Sequence, residues 1–242
     1  MLLFFRYTLQ AVAVVAWGCS GPVVNVACDE NAERKKSELA LQSAEQSFDA
    51  LYLAAVADAA VAEESELHDL KIPQGEDVDV LSWVKNEYLD SYPTGSIITL
   101  PRYTWVTLPP EVQEKCQGYA AETQMVRLQQ LLGLPPQKDG PRSFVVLSVK
   151  RDQLFRPCIL PDVAAPQCTV FEQTDDDAHA LFFANQTAVA YTTSPGYPWT
   201  RLGYTYDWNP DTPEYGVTEF VIKIGAQAVV KTVVSTEQYC VK

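Results

Sequence analysis

The spacing of apolar positions divides the chain into a helical part followed by a strand-rich part. From residue 29 to about 72 the sequence is rich in Ala, Glu and Leu, and Leu41, Ala44, Phe48, Leu51 and Ala55 recur at steps of three and four. Those steps place them on one face of a helix. Pro73 and Gly75 stop it. The acidic tract "EESELHD" near its end opposes the helix dipole. The regular helix is therefore expected to fray near Ala62, unless the tract faces a partner. The apolar stripe is expected to dock on the chain's own domain rather than to form a seam between copies.

After a polar break, "IPQGEDVDV", the segment "VLSWVKNEYLDSY" from Val80 reads as a short helix stopped by Pro93 and Gly95. "SIITL" and "RYTWVTL" are β-rich and separated by Pro101, so they read as short strands or one bent edge strand. Pro109 and Pro110 at the start and Gly133 at the end frame a helix over about 110–132. "RSFVVLSVK" is nearly continuous in apolar residues, the pattern of a central strand. Residues 154–172 are loop-rich, and "HALFFANQTAVAYTT" reads as one or two strands. In "TEFVIKIGAQAVVKTVV", Phe220, Ile222 and Ile224 alternate with Val221 and Lys223, and Gly225-Ala226 suits a type II′ turn. That predicts a C-terminal hairpin. Helices first and mostly antiparallel strands afterwards argue an α+β fold rather than a βαβ succession.

The first residues change the picture of where this chain works. "MLLFFRYTLQAVAVVAWGCSGP" has an early Arg6, an apolar run and then small residues, the pattern of a secretory leader over 1–18. Its apolar run from Tyr7 to Trp17 is shorter than the roughly 20 residues a permanent span needs. "VAWGC" offers a lipidation site at Cys19, although Trp17 is bulky for such a site; cleavage after Ala16 is the other outcome. The chain then divides into a helical segment over 19–75 and an α+β domain over 76–242.

Six cysteines stand at 19, 28, 116, 158, 168 and 240. Six can pair in fifteen ways, a choice that sequence does not make. Cys158 and Cys168 flank a Pro-rich loop that could close locally, for about 3 kcal/mol. A bond from Cys116 to Cys240 would anchor a terminus that otherwise frays. Lipidation of Cys19 would leave five thiols and one without a partner. No CxxC pair is present, so a zinc site is not expected.

The net charge of −13 disfavours nucleic acid, whose phosphates need Lys and Arg, and also anionic lipid. The membrane therefore enters only through an anchor at Cys19. With no GxxxxGK[ST] and no GxGxxG, no nucleotide cofactor is expected. Only His68 and His179 could serve a nucleophilic triad, His68 lies on the helical segment, and no GxSxG occurs. Asp175, Asp176, Asp177 and His179 lack the spacing of a calcium loop and read as a solvated acidic turn. Asn185 opens the sequon "NQT".

The richest stretch for binding is "YPWTRLGYTYDWNPDTPEYG", residues 197–216. Tyr204, Tyr206 and Trp208 share one parity, so in a strand their rings line one face. Buried, they would be core. In a cleft, they would stack on a flat ligand, with Trp199 beside them and Arg201 and Asp207 supplying hydrogen bonds. Asp207 and Glu219 flank the aromatic loop and could do glycosidase-type work as a carboxylate pair, given suitable separation.

The combination "RLQQLLGLPP", "LFRPC", "YPWTRLGYTYDW" and "EFVI" with a terminal "YC" resembles a group of exported bacterial proteins of unassigned function. The resemblance covers roughly residues 100–240. It implies export and carries no activity. The expected role is a binding or interaction module of the cell envelope, periplasmic and lipid-anchored, whose partner is an envelope protein or a neutral ligand. The alternative is a secreted hydrolase of saccharide or envelope polymer.

Overall fold

The computed structural model describes residues 30–136 and 140–241. The leader, Cys19 and Cys28 lie outside these residues. Residues 42–242 form one compact unit, and the earlier residues fall in another. Helix α1 (Glu30–Ala59) runs across that division. Its first part carries an exposed Arg34–Glu38 ion pair one turn apart. No helix among the described residues is long and apolar enough to cross a membrane.

The fold is α+β. Eight strands among the described residues make a mostly antiparallel sheet: β1 (Asp77–Lys85), β2 (Ile97–Thr99), β3 (Thr104–Thr107), β4 (Arg142–Lys150), β5 (Leu154–Phe155), β6 (Tyr204–Tyr206), β7 (Tyr215–Ile222) and β8 (Gln227–Ser235). Their order is β2-β8-β4-β1-β3-β7-β5, with β6 paired to β7. Four helices join α1: α2 (Pro109–Cys116), α3 (Gln124–Leu131), α4 (Asp177–Thr192) and the short α5 (Thr236–Tyr239).

Strand parity sorts the core into two sides. Val78, Val80, Val145, Leu147, Phe220, Ile222 and Val230 pack together on one face. Leu81, Trp83, Phe144 and Val217 belong to the other, where α2 and α3 cover them through Val112, Leu128 and Leu131. Further along, α4 packs Phe182 against Phe155 and Val221. Both faces of β1, β4 and β7 are therefore dry, which is why these strands carry continuous apolar runs.

Four sequence expectations are corrected. "VLSWVKNEYLDSY" is not a helix: its first part is β1, fully paired with β4, and only Asn86–Ser91 coils into a 3₁₀ turn. Burial on both faces hid the period of two. "HALFFANQTAVAYTT" is not strand but α4, capped by Asp176, whose carboxylate accepts from the amides of Ala178 and His179. His179, Phe182 and Ala190 are buried along one helical stripe. The helix over 110–132 is two helices; the chain turns at residues 117–123, where Gly118 is a poor helix former and Cys116 is bonded to Cys240. Gly133, at φ +62, ends α3 as expected. Finally, β7 and β8 do not pair as a hairpin, since β4, β1 and β3 lie between them. The short connection from Ile222 to Gln227 bends instead onto Leu100, which exchanges backbone hydrogen bonds with Gly225 and Ala226. Three strands apart yet joined by so few residues, β7 and β8 require a curled sheet.

Two disulfides close the unit: Cys116–Cys240 and Cys158–Cys168, with Cα separations of 5.2 and 6.0 Å. The first clasps the C-terminus to α2, and the second closes the Pro-rich loop. Gly203, at φ +79, sits over the second bridge; a Cβ there would lie 2.8 Å from Leu70 and 2.9 Å from the Cys168 sulfur.

Candidate functional site

The aromatic stretch does two jobs in two directions. Toward the N-terminus it forms a socket for the second half of α1. Trp208 is buried edge-on against Phe48 and Tyr52, and its indole donates to the Leu134 carbonyl at 2.9 Å. The Tyr206 hydroxyl donates to Asp58 at 2.8 Å and lies 3.3 Å from Glu214, and the Tyr204 hydroxyl donates to the Glu66 carbonyl. Arg201 sits at φ 61 and donates to the carbonyls of Ala59 and Ala60. A cation at a helix C-terminus satisfies orphan carbonyls and complements the dipole. The last turn of α1 has no basic residue of its own, so Arg201 supplies the charge from outside. That is why the regular helix stops at Ala59, close to the expected fray at Ala62. The single hydroxyl of Tyr191 lies between the carbonyls of Ala59 and Trp199 and can donate its one proton to either.

Asp207 is 5 % exposed and receives both terminal nitrogens of Arg127, at 3.1 and 3.0 Å. Arg127 also donates to Gln130 and lies over the Tyr119 ring. Burial keeps the phenols of Tyr204 and Tyr206 protonated well above their ordinary range, and the nearby acidic groups push in the same direction. Asp58, Glu66 and Glu214 bring carboxylate oxygens within 4.8 Å of one another beneath Tyr206. Burial, then the charges of Glu66 and Asp58, raise the Glu214 carboxyl. None of the three is deeply buried. Of the acidic run, Asp176 caps α4, Asp177 is its first residue and Asp175 precedes the cap, and His179 turns inward to the Cys158 carbonyl at 2.7 Å.

In the other direction the same stretch walls a cavity of about 380 Å³ between the sheet, α3 and α4. Its floor is a cross-strand row. Leu81 of β1 stands opposite Thr107 of β3, and Thr107 opposite Glu219 of β7. Directly opposed residues of antiparallel strands share a face, so the three side chains line up. Trp83, Trp105 and Phe144 flank the floor. Leu132, Gly133 and Leu134 close one side, Gln186, Val189 and Ala190 another. Tyr197, Pro198, Trp199 and Tyr204 to Tyr206 complete the wall. Val189 and Tyr197 are 42 % and 46 % exposed, which places the mouth beside α4.

Glu219 is the one residue with a formal charge among the described residues of this lining. It is half-buried and lines the cavity. Burial alone pushes its carboxyl up from 4.5 to about 8. Among the described residues no side chain or backbone group is recorded as bonding that carboxyl; its backbone amide goes to the Gly203 carbonyl. The buried indole nitrogen of Trp199 also lacks a partner.

Of the residues singled out in sequence, the cavity therefore gathers Trp199, Tyr204, Tyr206 and Glu219. Arg201, Asp207 and Trp208 serve the socket, and Asp207 and Glu219 do not share the cavity. Sequence reasoning missed Trp83, Trp105, Phe144 and the α4 residues. Trp83 was hidden by reading β1 as helix, although Val78, Val80 and Val84 alternate with Leu81 and Trp83. The fold and this cavity define an α+β protein with a preformed, aromatic-walled pocket. No protein-family model matches the chain, and no curated protein or solved structure matches it either.

Proposed function

We propose that this protein is exported, is held on the cell envelope through lipid on Cys19, and binds a small, mostly apolar molecule in the cavity above Glu219. The observation that carries this reading is the cavity itself: about 380 Å³, walled by Trp83, Trp105, Phe144 and Trp199, with one carboxyl on its floor. Pockets of this size, apolar with few placed polar groups, suit small organic ligands. Export is supported by the leader sequence and is compatible with two disulfides, which persist in oxidising compartments. A hydrolase using Asp207 with Glu219 draws no support from their surroundings, since Arg127 holds Asp207 in a separate ion pair.

One experiment tests both halves. Wild type and Cys19→Ser are expressed with the leader intact, fractionated, and titrated with the uncharged dye N-phenyl-1-naphthylamine. Wild type is expected in the membrane fraction and Cys19→Ser in the soluble one, both taking up one dye per chain. Membrane retention of Cys19→Ser rejects the anchor. An absence of saturable dye uptake rejects the binding pocket.

A further inference from the structure

The occupant of the cavity is constrained by what its lining lacks. Among the described residues that line it there is no Lys, Arg or His to answer Glu219. An unpaired carboxyl in an apolar enclosure costs folding free energy, and the cost is relieved by a cation brought from outside. The walls are suited to the same guest. Trp105 and Trp199, edge to face at 5.9 Å, bring π-systems to the lining, while Trp83 stacks on Phe144 and already carries the Arg142 guanidinium over its ring at 5.0 Å. Indole rings attract cations more strongly than other rings. Leu81, Leu132 and Leu134 leave room for an apolar body. The net charge of −13 adds a long-range attraction for cations.

Resting on the pocket reading above, we infer that the ligand is an organic ammonium, its charged nitrogen paired with Glu219 in the cavity that Trp105 and Trp199 line and its apolar part against the leucines. The ligand displaces the proton that the empty site holds on Glu219. Binding then strengthens as pH rises toward the ionisation of that carboxyl, near 8 in the empty pocket. Other titratable groups around the cavity are phenols. Tyr204 and Tyr206 are engaged with Glu66, Asp58 and Glu214 and ionise only far above this range, and Tyr197 stands at the mouth. From β3 and α4 the facing groups, Thr107 and Gln186, do not titrate.

The test compares a permanent cation with its uncharged isostere, benzyltrimethylammonium against neopentylbenzene, by displacement of N-phenyl-1-naphthylamine from the mature protein. A probe that cannot lose its charge assigns any pH dependence to the protein. The cation is expected to bind about ten-fold or more tightly than the isostere at pH 9. Its affinity should fall about ten-fold or more between pH 9 and pH 6, while that of the isostere stays level. Glu219→Gln, which keeps size and polarity, should cut the preference about ten-fold or more and abolish the pH dependence, the attraction of the indoles for a cation remaining. Dye uptake with no preference for the cation, or a pH dependence that survives in Glu219→Gln, overturns the ammonium inference and leaves the pocket standing. Failure of the dye and both probes to bind overturns the pocket reading with it.

Discussion

The socket and the cavity are built from one stretch of sequence, yet they treat polar groups in opposite ways. In the socket nearly every polar tip finds a partner: Trp208 with Leu134, Tyr204 with Glu66, Tyr206 with Asp58, Arg201 with Ala59 and Ala60 through one terminal nitrogen although its buried Nε has none, and Asp207 with Arg127. In the cavity, Glu219 has no recorded partner for its carboxyl, and the Trp199 indole nitrogen has none. Satisfied buried groups specify architecture, because removing one strands the other. An unsatisfied group lowers stability and persists where a ligand completes it. The difference therefore separates residues that hold the molecule together from those left for chemistry. It also explains why aromatic richness was a poor guide: most of the rings that stand out in "YTYDW" are architectural.

The harshest way to break this comparison is Trp208→Ala. It removes a buried indole from between Phe48 and Tyr52 and strands the Leu134 carbonyl. A loss of about 3–5 kcal/mol is expected from urea unfolding. Protease cleavage in α1 should rise with it, since α1 docks there. A loss under about 1 kcal/mol would mean the ring is not the socket's anchor. Arg201→Ala is milder. It deletes the external cap of α1 and the contact with the Tyr191 ring, for about 1–2 kcal/mol. Because Arg201 does not line the cavity, dye affinity should be unchanged. Equal loss of binding and stability would erase the distinction between the two regions.

Much of the scaffold was legible from sequence. The α+β class, the central strand β4 and the end of α3 at Gly133 follow from patterns a single chain displays, and Cys116–Cys240 and Cys158–Cys168 are two of the pairings that the sequence left open. Strand β1 was not legible, because burial of both its faces erased the alternation and its apolar run merged with the helical turn over Asn86–Ser91. This misread β1 and hid Trp83 with it. In α4 the alternation of Ala with larger residues imitated a period of two, while the buried stripe of His179, Phe182 and Ala190 follows helical spacing. The hairpin failed for a different reason: local turn chemistry at Gly225-Ala226 is compatible with any reversal, and only the whole sheet decides which strands then pair. Glu219 was visible as a carboxyl beside the aromatic loop. Its isolation was not, since having no partner is a property of the surrounding fold rather than of a motif.

The finest test concerns that isolation alone. Glu219→Gln changes no volume and removes only the ability to ionise, so at pH 5 it should leave stability nearly untouched, the smallest effect of the three. The pH dependence carries the information. Burial raises the folded-state carboxyl to about 8 from 4.5. Below about 4.5 both folded and unfolded chains hold the proton, and Glu219 costs nothing. As pH rises the unfolded chain releases it first, so the folded state binds more protons and stability falls. The decline continues until the folded state also ionises, near 8, and then levels off. Its limiting slope is about 1.4 kcal/mol per pH unit, reduced by whatever solvent reaches the carboxyl through the mouth. Wild type measured minus Glu219→Gln isolates the effect, because Glu111 and Glu214, whose carboxyls burial also raises, are common to both. A difference curve that descends between pH 5 and 8 identifies an acid held without a partner. Parallel curves across that window would place Glu219 in contact with water or a counter-charge, and the cavity would lose the feature that sets it apart from the socket.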